Sequence, residues 1–285
     1  MITKKLTSFI IFSFTISFLL SGCQPEQKKE KSHSPSDFIE NHSPQTQEKN
    51  ENFPQNLPDQ ENLLDIFHET PDKNEENQDI SQKIPETEQE IETYFQAELA
   101  KARQLEAKKD LEAARRTYQM LTSEFPNRYE PFHHLARISE TEQDSDLTYA
   151  LYELAAQKHP TSPVFYNDFG WFLLSIGEMT EAQKMLHQAI KLAPEEPKYK
   201  NNLALCLARL HRYEESFLIF KEAAAGNSTV AYTNLAHIQL QNGDVDAAKK
   251  SLQKALATKN DYAPAKEILR LIETHEKINS KTPEN

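Results

Sequence analysis

Two adjacent histidines, His133 and His134, are the residues of this 285-residue chain that most suggest metal chemistry. Neighbouring residues on a helix point about 100° apart, so the pair would chelate a metal poorly, and no cysteine or carboxylate cluster completes a tetrahedral set. The sequence also lacks a glycine-rich phosphate loop, a nucleophile elbow and paired carboxylates at a strand end. We therefore expect no catalytic residue, no metal site and no cofactor.

The N-terminus has the pattern of a secretory signal. Lys4 and Lys5 form a positive n-region, and an apolar h-region follows over 6–20. That run is shorter than the roughly 18 residues that a membrane-spanning helix needs. The pattern predicts a signal peptide over 1–22, removed before Cys23.

The run "LSGC" over 20–23 resembles the lipobox of bacterial lipoproteins. The resemblance implies lipidation of Cys23, with palmitate among the acyl chains, and anchoring in the bacterial cell envelope. Gln24 stands where an Asp would retain an enterobacterial lipoprotein at the inner membrane, so an outer-membrane position facing the periplasm is favoured. The alternative is a plain cleaved signal followed by an unrelated cysteine. Once Cys23 is lipidated, Cys206 has no disulfide partner and is expected to be a small buried residue.

An acidic segment follows the cysteine. Residues 24–88 contain 16 Asp or Glu and 6 Lys, so they carry −10 of the chain's net charge of −12. Such charge with few apolar residues predicts a disordered tether over 23–90. The acidic balance argues against a nucleic-acid partner. One apolar island, "ENLLDIFHE" over 61–69, is either a few apolar residues in a linker or a short docking motif that binds its own chain or a partner.

From Phe95 onwards the sequence has a period of 34 residues, marked by Pro126, Pro160 and Pro194. Within each period, apolar residues follow the spacing of two consecutive helices, with a small residue at the eighth place and a bulky residue at the twenty-fourth. Gly177 and Gly243 fall in the turn between the two helices. The blocks are 95–128, 129–162, 163–196, 197–228, which is two residues short, and 229–262.

The ends of this periodic region depart from the pattern. The first block has Glu98 and Lys101 where apolar residues are expected, so its first helix is either a polar cap or misphased by a turn. The stretch 263–278 is amphipathic and predicts a solvating helix over the last block. A polar tail follows over 279–285.

The pattern resembles the tetratricopeptide repeat, in five copies. The resemblance implies an all-α fold over 91–278, a right-handed superhelical solenoid of about five helix pairs with a C-terminal capping helix. In that family the first helices line a concave groove that holds a peptide. Carried over place by place, the groove residues are His133, Arg137, Asn167, Trp171, Leu174, Asn201, Asn202, Leu205, Arg209, Asn234 and His237.

Two of these assignments have local alternatives. Trp171 is either an anchor for a bound peptide or a residue packed against the neighbouring helix. Asn202 and Asn234 either bond a peptide backbone, as the family often uses asparagine at that place, or bond locally.

These observations favour a membrane-anchored scaffold that binds a peptide segment of a partner protein. One alternative is an assembly factor or pilotin of a pilus or secretion machine, because residues 201–252 resemble repeat lipoproteins of the Tad/Flp pilus assembly system. The other is an adaptor for cell-wall hydrolases.

Overall fold

The computed structural model describes residues 87–279, and this part of the chain contains α-helices and no strands. The predicted signal peptide, Cys23, the acidic tether before residue 87 and the island 61–69 lie outside the described residues. The helices are α1 (Glu88–Ala107), α2 (Leu111–Glu124), α3 (Tyr129–Thr141), α4 (Ser145–Gln157), α5 (Pro163–Ile176), α6 (Met179–Leu192), α7 (Pro197–Arg209), α8 (Tyr213–Ala223), α9 (Ser228–Gln241), α10 (Val245–Thr258) and α11 (Ala263–Asn279).

The described residues form two compact units, an N-terminal unit over 87–165 and a C-terminal unit over 166–279. Each contains consecutive helix pairs of the predicted kind, so the expectation of an all-α fold built from repeated helix pairs is confirmed. Within residues 87–279, no helix combines the length and the hydropathy that crossing a bilayer requires.

The first helix begins at Glu88, three residues before the predicted start at 91. Thr87 caps it: its side chain accepts the backbone N–H of Glu90, and the Glu90 side chain accepts the backbone N–H of Thr87. This reciprocal capping box satisfies two backbone donors at the helix start. The helix keeps the repeat phase, but its buried residues are Phe95, Leu99 and Ala102. It is therefore not misphased by a turn, and Glu98 and Lys101 lie beside the buried stripe as an ion pair.

The two helices of each pair approach closely because the eighth place of every block is small and fully buried. These residues are Ala102, Ala136, Gly170, Ala204 and Ala236. A Cβ atom on Gly170 would lie 2.8 Å from Cγ of Leu186 in the partner helix. In the next pair the Ser216 hydroxyl donates to the carbonyl oxygen of Ala204 at 2.7 Å. Small residues thus set the spacing of the pair, as the sequence predicted.

A left-handed residue separates the two helices of every pair. Gly177 (φ 92°) and Gly243 (φ 84°) do this in two pairs, as expected. In the other three pairs the same conformation falls on non-glycine residues, namely Lys109 (φ 66°), Gln143 (φ 63°) and His211 (φ 58°). The turn therefore has one backbone geometry in all five pairs, whatever the residue.

The connection after α8 differs from the others. Helices α2, α4 and α6 each end shortly before Pro126, Pro160 or Pro194. Helix α8 has no such proline; it is only 11 residues long and ends at Ala223. Ala225 (φ 51°) and Gly226 (φ 87°) then reverse the chain into α9. The two-residue deletion in this block is therefore absorbed by a shorter helix and a tight left-handed turn.

Helix α11 covers the last pair in the predicted way. Ala265, Ile268 and Ile272 are buried against α10, where Leu252 and Ala255 are fully buried. Lys249 of α10 donates to the Glu276 carboxylate at 2.5 Å. The apolar face of α11 thus closes the core of the C-terminal unit, and its charged side faces water.

Candidate peptide-binding surface

The predicted groove residues of the C-terminal unit lie on its three first helices, α5, α7 and α9. Trp171, Leu205 and His237 occupy the same register position, the ninth place, on successive first helices. Trp171 is exposed, and Leu205 and His237 are partly exposed. We call these three residues together with Lys198, Asn201, Arg209 and Asn234 the α5–α7–α9 surface.

Trp171 is much more exposed than its neighbours on α5. Its neighbours Phe169, Phe172 and Leu173 are all buried, as the repeat stripe requires, whereas 45% of the Trp171 surface remains exposed. The indole is thus not enclosed by the core of the C-terminal unit. Monomeric proteins tolerate single exposed apolar residues, so it is the register that this residue shares with Leu205 that makes its exposure informative.

Two predicted groove residues on α5 are buried, and their placement on an open surface is wrong. Leu174 is 2% exposed and belongs to the core. Asn167 is 1% exposed. Its Oδ1 accepts the Nδ2–H of Asn202 at 2.7 Å, and its Nδ2 donates to Asp168 Oδ1 at 3.1 Å. Asn167 therefore links α5 to α7, because a buried amide must find its partners inside the protein.

The predicted groove asparagines of α7 and α9 differ in their hydrogen bonding. The amide N–H of Asn202 donates to Asn167, which supports the interpretation that Asn202 forms a local hydrogen bond. The side chains of Asn201 and Asn234 are partly exposed, and neither has a hydrogen-bond partner among residues 87–279. Asn201 and Asn234 thus remain the amides on this surface that can bond a peptide backbone.

Arg209 is held in place by the neighbouring pair. Its Nη1 donates to the carbonyl oxygen of Leu174 at 3.0 Å. This carbonyl is in the last turn of α5, where backbone acceptors have no partner within the helix. The guanidinium therefore caps α5, while its other N–H groups remain available. In the next pair, Asn242 Nδ2 similarly donates to the carbonyl oxygen of Ala208 at 2.8 Å.

His237 is uncharged at neutral pH, because burial lowers its pKa below the ordinary value. Gln241 Nε2 lies 3.1 Å from His237 Nε2, one turn further along α9. Since an amide Nε2 can only donate, that ring nitrogen is the acceptor. His237 therefore contributes a neutral imidazole to the surface rather than a cation.

The predicted groove residues of the N-terminal unit, His133 and Arg137, are placed differently from each other. His133 is only 6% exposed and packs among aromatic rings, 5.3 Å from the Phe165 centroid and 6.0 Å from that of Tyr152. Its assignment to an open groove is therefore wrong. Arg137 is exposed, and its Nη2 lies 3.3 Å from Glu106 Oε1.

Glu106 is the centre of a polar network that the sequence pattern does not indicate. Its Oε2 accepts the Tyr118 hydroxyl at 2.9 Å and lies 2.8 Å from His134 Nδ1. Arg103 Nε donates to His134 Nε2 at 3.2 Å, and the Tyr118 and His134 rings stack with centroids 4.8 Å apart. His134 is therefore neutral, with its proton on Nδ1. The network joins α1, α2 and α3.

The pKa values in this network follow from its geometry. Burial raises the pKa of Glu106, but the hydrogen bonds from His134 and Tyr118 and the charge of Arg137 outweigh it and hold the pKa at about 2. Burial lowers the pKa of His134, and the Glu106 carboxylate opposes that shift only partly. Both groups keep the ionisation state that their hydrogen bonds need at neutral pH.

Cys206 is buried, as expected, and its Sγ lies 3.4 Å from the carbonyl oxygen of Met179. Burial raises the pKa of its thiol to about 12, so it is not a nucleophile at neutral pH. Within residues 87–279, no group of three or more His, Cys, Asp or Glu side chains is placed to hold a metal ion.

Comparison with known proteins agrees with this architecture. Tetratricopeptide-repeat sequence profiles match residues 96–128, 168–230 and 230–262. No curated protein matches the chain. The matched stretches overlap four of the five helix pairs described above, and these parts of the chain are tetratricopeptide repeats.

Several solved structures are similar to this chain, although their sequence identity to it is low. The crystal structure of YrrB, titled a TPR protein with an unusual peptide-binding site, has 15% identity and a TM-score of 0.50, covering 61% of this chain and 90% of that one. The MamA protein has 19% identity and a TM-score of 0.48, with coverage of 59% and 93%. The Pseudomonas aeruginosa protein pilF has 16% identity and a TM-score of 0.48, with coverage of 62% and 89%. The similarity to YrrB shows a shared fold and nothing further.

Proposed function

We propose that this protein is a membrane-anchored tetratricopeptide scaffold that binds a peptide segment of a partner protein on the α5–α7–α9 surface. The observation that carries the proposal is the exposure of Trp171, at the register that Leu205 and His237 share on the following first helices. Large aromatic residues are frequent energetic anchors of protein interfaces. The crystal structure of YrrB, whose title describes a peptide-binding site in a TPR protein, lends support by analogy.

Membrane anchoring is supported by the sequence alone. Lys4, Lys5, the apolar run over 6–20 and the lipobox-like residues before Cys23 form one continuous pattern. The three acyl chains of a mature lipoprotein would anchor firmly, because each buried methylene contributes about 0.8 kcal/mol. The tether between Cys23 and the helices would then give the scaffold reach from the membrane, with a typical span of roughly 45 Å.

Peptide binding is tested by crosslinking in native membranes and affinity capture, comparing the wild-type chain with Trp171→Ala plus Leu205→Ala. A matched control replaces Leu192 and Leu218, which are exposed on the second helices α6 and α8. We expect the Trp171 and Leu205 changes to remove at least one partner, and the control changes at Leu192 and Leu218 to retain all of them. Retention of every partner by both variants would refute the proposed surface.

The identity of the captured partners separates the narrower functions. Secretin or pilus components would make the protein an assembly factor or pilotin, and cell-wall hydrolases would make it their adaptor. Anchoring is tested separately with Cys23→Ala, which should move the protein to the soluble fraction; Cys206→Ala serves as the control thiol. Tight membrane association of the Cys23→Ala variant would contradict lipidation.

A further inference from the structure

One face of α7 carries two cations and no acidic residue. Lys198, Asn201, Leu205 and Arg209 follow one another at intervals of three or four residues, so they share a side of the helix. At 1.5 Å per residue, the two cations are separated by about 16 Å along the helix axis. The partly exposed Leu205 and Asn201 lie between them.

Neither cation is neutralised within the described part of the chain. Lys198 and Arg209 have no carboxylate within ion-pair distance among residues 87–279. Other cations nearby are paired: Lys200 Nζ lies 2.6 Å from Glu222, and Arg212 binds Glu215 at 2.6 Å. Glu196, which precedes α7, instead uses its side chain to accept the backbone N–H of Lys198. Neither Lys198 nor Arg209 therefore forms an ion pair within residues 87–279.

Arg209 is also pre-positioned. Its hydrogen bond to the Leu174 carbonyl oxygen fixes the guanidinium at the end of α5 and leaves the remaining N–H groups to face a ligand. A fixed planar guanidinium loses less rotamer entropy on binding a carboxylate than a free side chain does. The neutral His237 adds no charge, so the attraction for an anion comes from Lys198 and Arg209.

Building on the proposed peptide-binding function, we propose that the α5–α7–α9 surface selects acidic segments of a partner protein in which carboxylates flank a central apolar residue. The apolar residue packs against Trp171 and Leu205, and the carboxylates bind Lys198 on one side and Arg209 on the other. Lys198 and Arg209 are then the residues that determine specificity. Complementary charge of this kind chiefly sets partner choice and the association rate.

The test is selection from a random peptide library displayed on phage, using the full chain as bait. Parallel selections use Lys198→Gln plus Arg209→Gln, and Lys250→Gln as a control cation that is exposed on the second helix α10. The wild type and the Lys250→Gln variant are expected to enrich peptides with Asp or Glu on both sides of Leu, Ile or Phe. The double variant is expected to lose the acidic enrichment.

A selected peptide is then synthesised and titrated against the chain while the fluorescence of Trp171, the single tryptophan of the sequence, is recorded. Because exposed charges contribute modestly, each cation change should weaken binding about two- to fivefold, with a smaller loss at high salt. Arg209→Lys keeps the charge and should recover part of the affinity. Failure of Arg209→Lys to recover any affinity would contradict a carboxylate contact at this position.

The outcomes separate this inference from the function on which it rests. Enriched peptides that change Trp171 fluorescence but have no acidic bias would overturn the charge inference and leave peptide binding intact. Selection of no peptide whose binding depends on Trp171 and Leu205 would overturn both. A double variant that folds poorly would be detected by circular dichroism, and Arg209→Lys and Lys198→Gln would then be compared singly.

Discussion

Gly170 and Leu186 fit together so closely that a Cβ atom on the glycine would lie 2.8 Å from the leucine Cγ. The contact joins the two helices of one repeat, and it shows that the eighth and twenty-fourth places are matched in size. We expect Gly170→Ala to destabilise the C-terminal unit by about 1–3 kcal/mol, because the added methyl group overpacks a closed interface. Urea unfolding followed by the fluorescence of Trp171 measures the change.

The same pair predicts non-additivity. Gly170→Ala combined with Leu186→Ala should cost less than the sum of the two single changes, since the second change makes room for the first. Thr180→Ala, an exposed position on α6, is the control and should have little effect. Strict additivity of the Gly170 and Leu186 changes would contradict direct packing.

The turn between α3 and α4 offers a stabilising change. Gln143 has a φ of 63°, a conformation that disfavours residues with a Cβ atom. Gln143→Gly should raise the free energy of unfolding by about 0.5–1 kcal/mol. This net gain is the relieved cost of the left-handed conformation minus the cost of the greater entropy that glycine has in the unfolded chain. The converse change, Gly243→Ala, should destabilise its own turn. Thermal unfolding of both variants tests the pair, and a destabilising Gln143→Gly would refute the argument.

The Glu106 network predicts acid sensitivity. The folded-state pKa of Glu106, about 2, lies below its ordinary value of 4.5. A carboxyl group with a depressed pKa stabilises the fold above pH 4.5 and loses that contribution as the pH falls towards its folded pKa. The lowered pKa of His134 has the same sign, because the unfolded chain takes up that proton first as the pH drops below about 6.5.

Glu106→Gln tests this account. At neutral pH the variant should be less stable by about 2–3 kcal/mol, since Tyr118, His134 and Arg137 lose a shared charged acceptor. The difference from the wild type should shrink as the pH falls to about 3, where the wild-type carboxylate has lost most of its advantage. Glu112→Gln, at an exposed position of α2, is the control. A stability difference that did not change with pH would exclude the ionic role of Glu106.

The apolar island over 61–69 matches the acidic and apolar chemistry inferred for the ligand, so its docking-motif interpretation can be tested with the same reagents. If it competes for the α5–α7–α9 surface, its deletion should raise the affinity for an added peptide. Deleting residues 41–49, which are polar and of the same length, is the control. Equal affinities for the two deletions would support the linker interpretation.

The repeat architecture could be predicted because it depends on residue size at fixed intervals. Gly170, Ala204 and Leu186 hold their places through packing alone, and the period reveals them. The burial of Asn167 and Leu174 could not be predicted, because a register position gives the direction of a side chain from its own helix and not how deeply the neighbouring helices cover it. Asn167 is covered because Asn202, 35 residues later, reaches back to it.

The Glu106 network could not be predicted from the sequence for a related reason. Glu106, Tyr118 and His134 belong to three helices, and each residue is unremarkable at its own place in the repeat. Only their convergence makes a partly buried carboxylate acceptable, because it then accepts two hydrogen bonds. Likewise, the residue type does not indicate the left-handed conformation of Lys109, Gln143 and His211. Only their spacing from Gly177, by multiples of 34 residues, would have predicted it.

The short connection between α8 and α9 has a practical consequence. Ala225, Gly226 and Asn227 are exposed, and no atom beyond the glycine and its two chain neighbours lies within 4 Å of the position of a Cβ on Gly226. Lengthening this connection by a few residues would bring the block back towards its usual period and disturb no packed side chain. An epitope or a fluorophore acceptor site grafted there would sit in the same compact unit as Trp171, which makes it a natural attachment point for distance measurements on the intact protein.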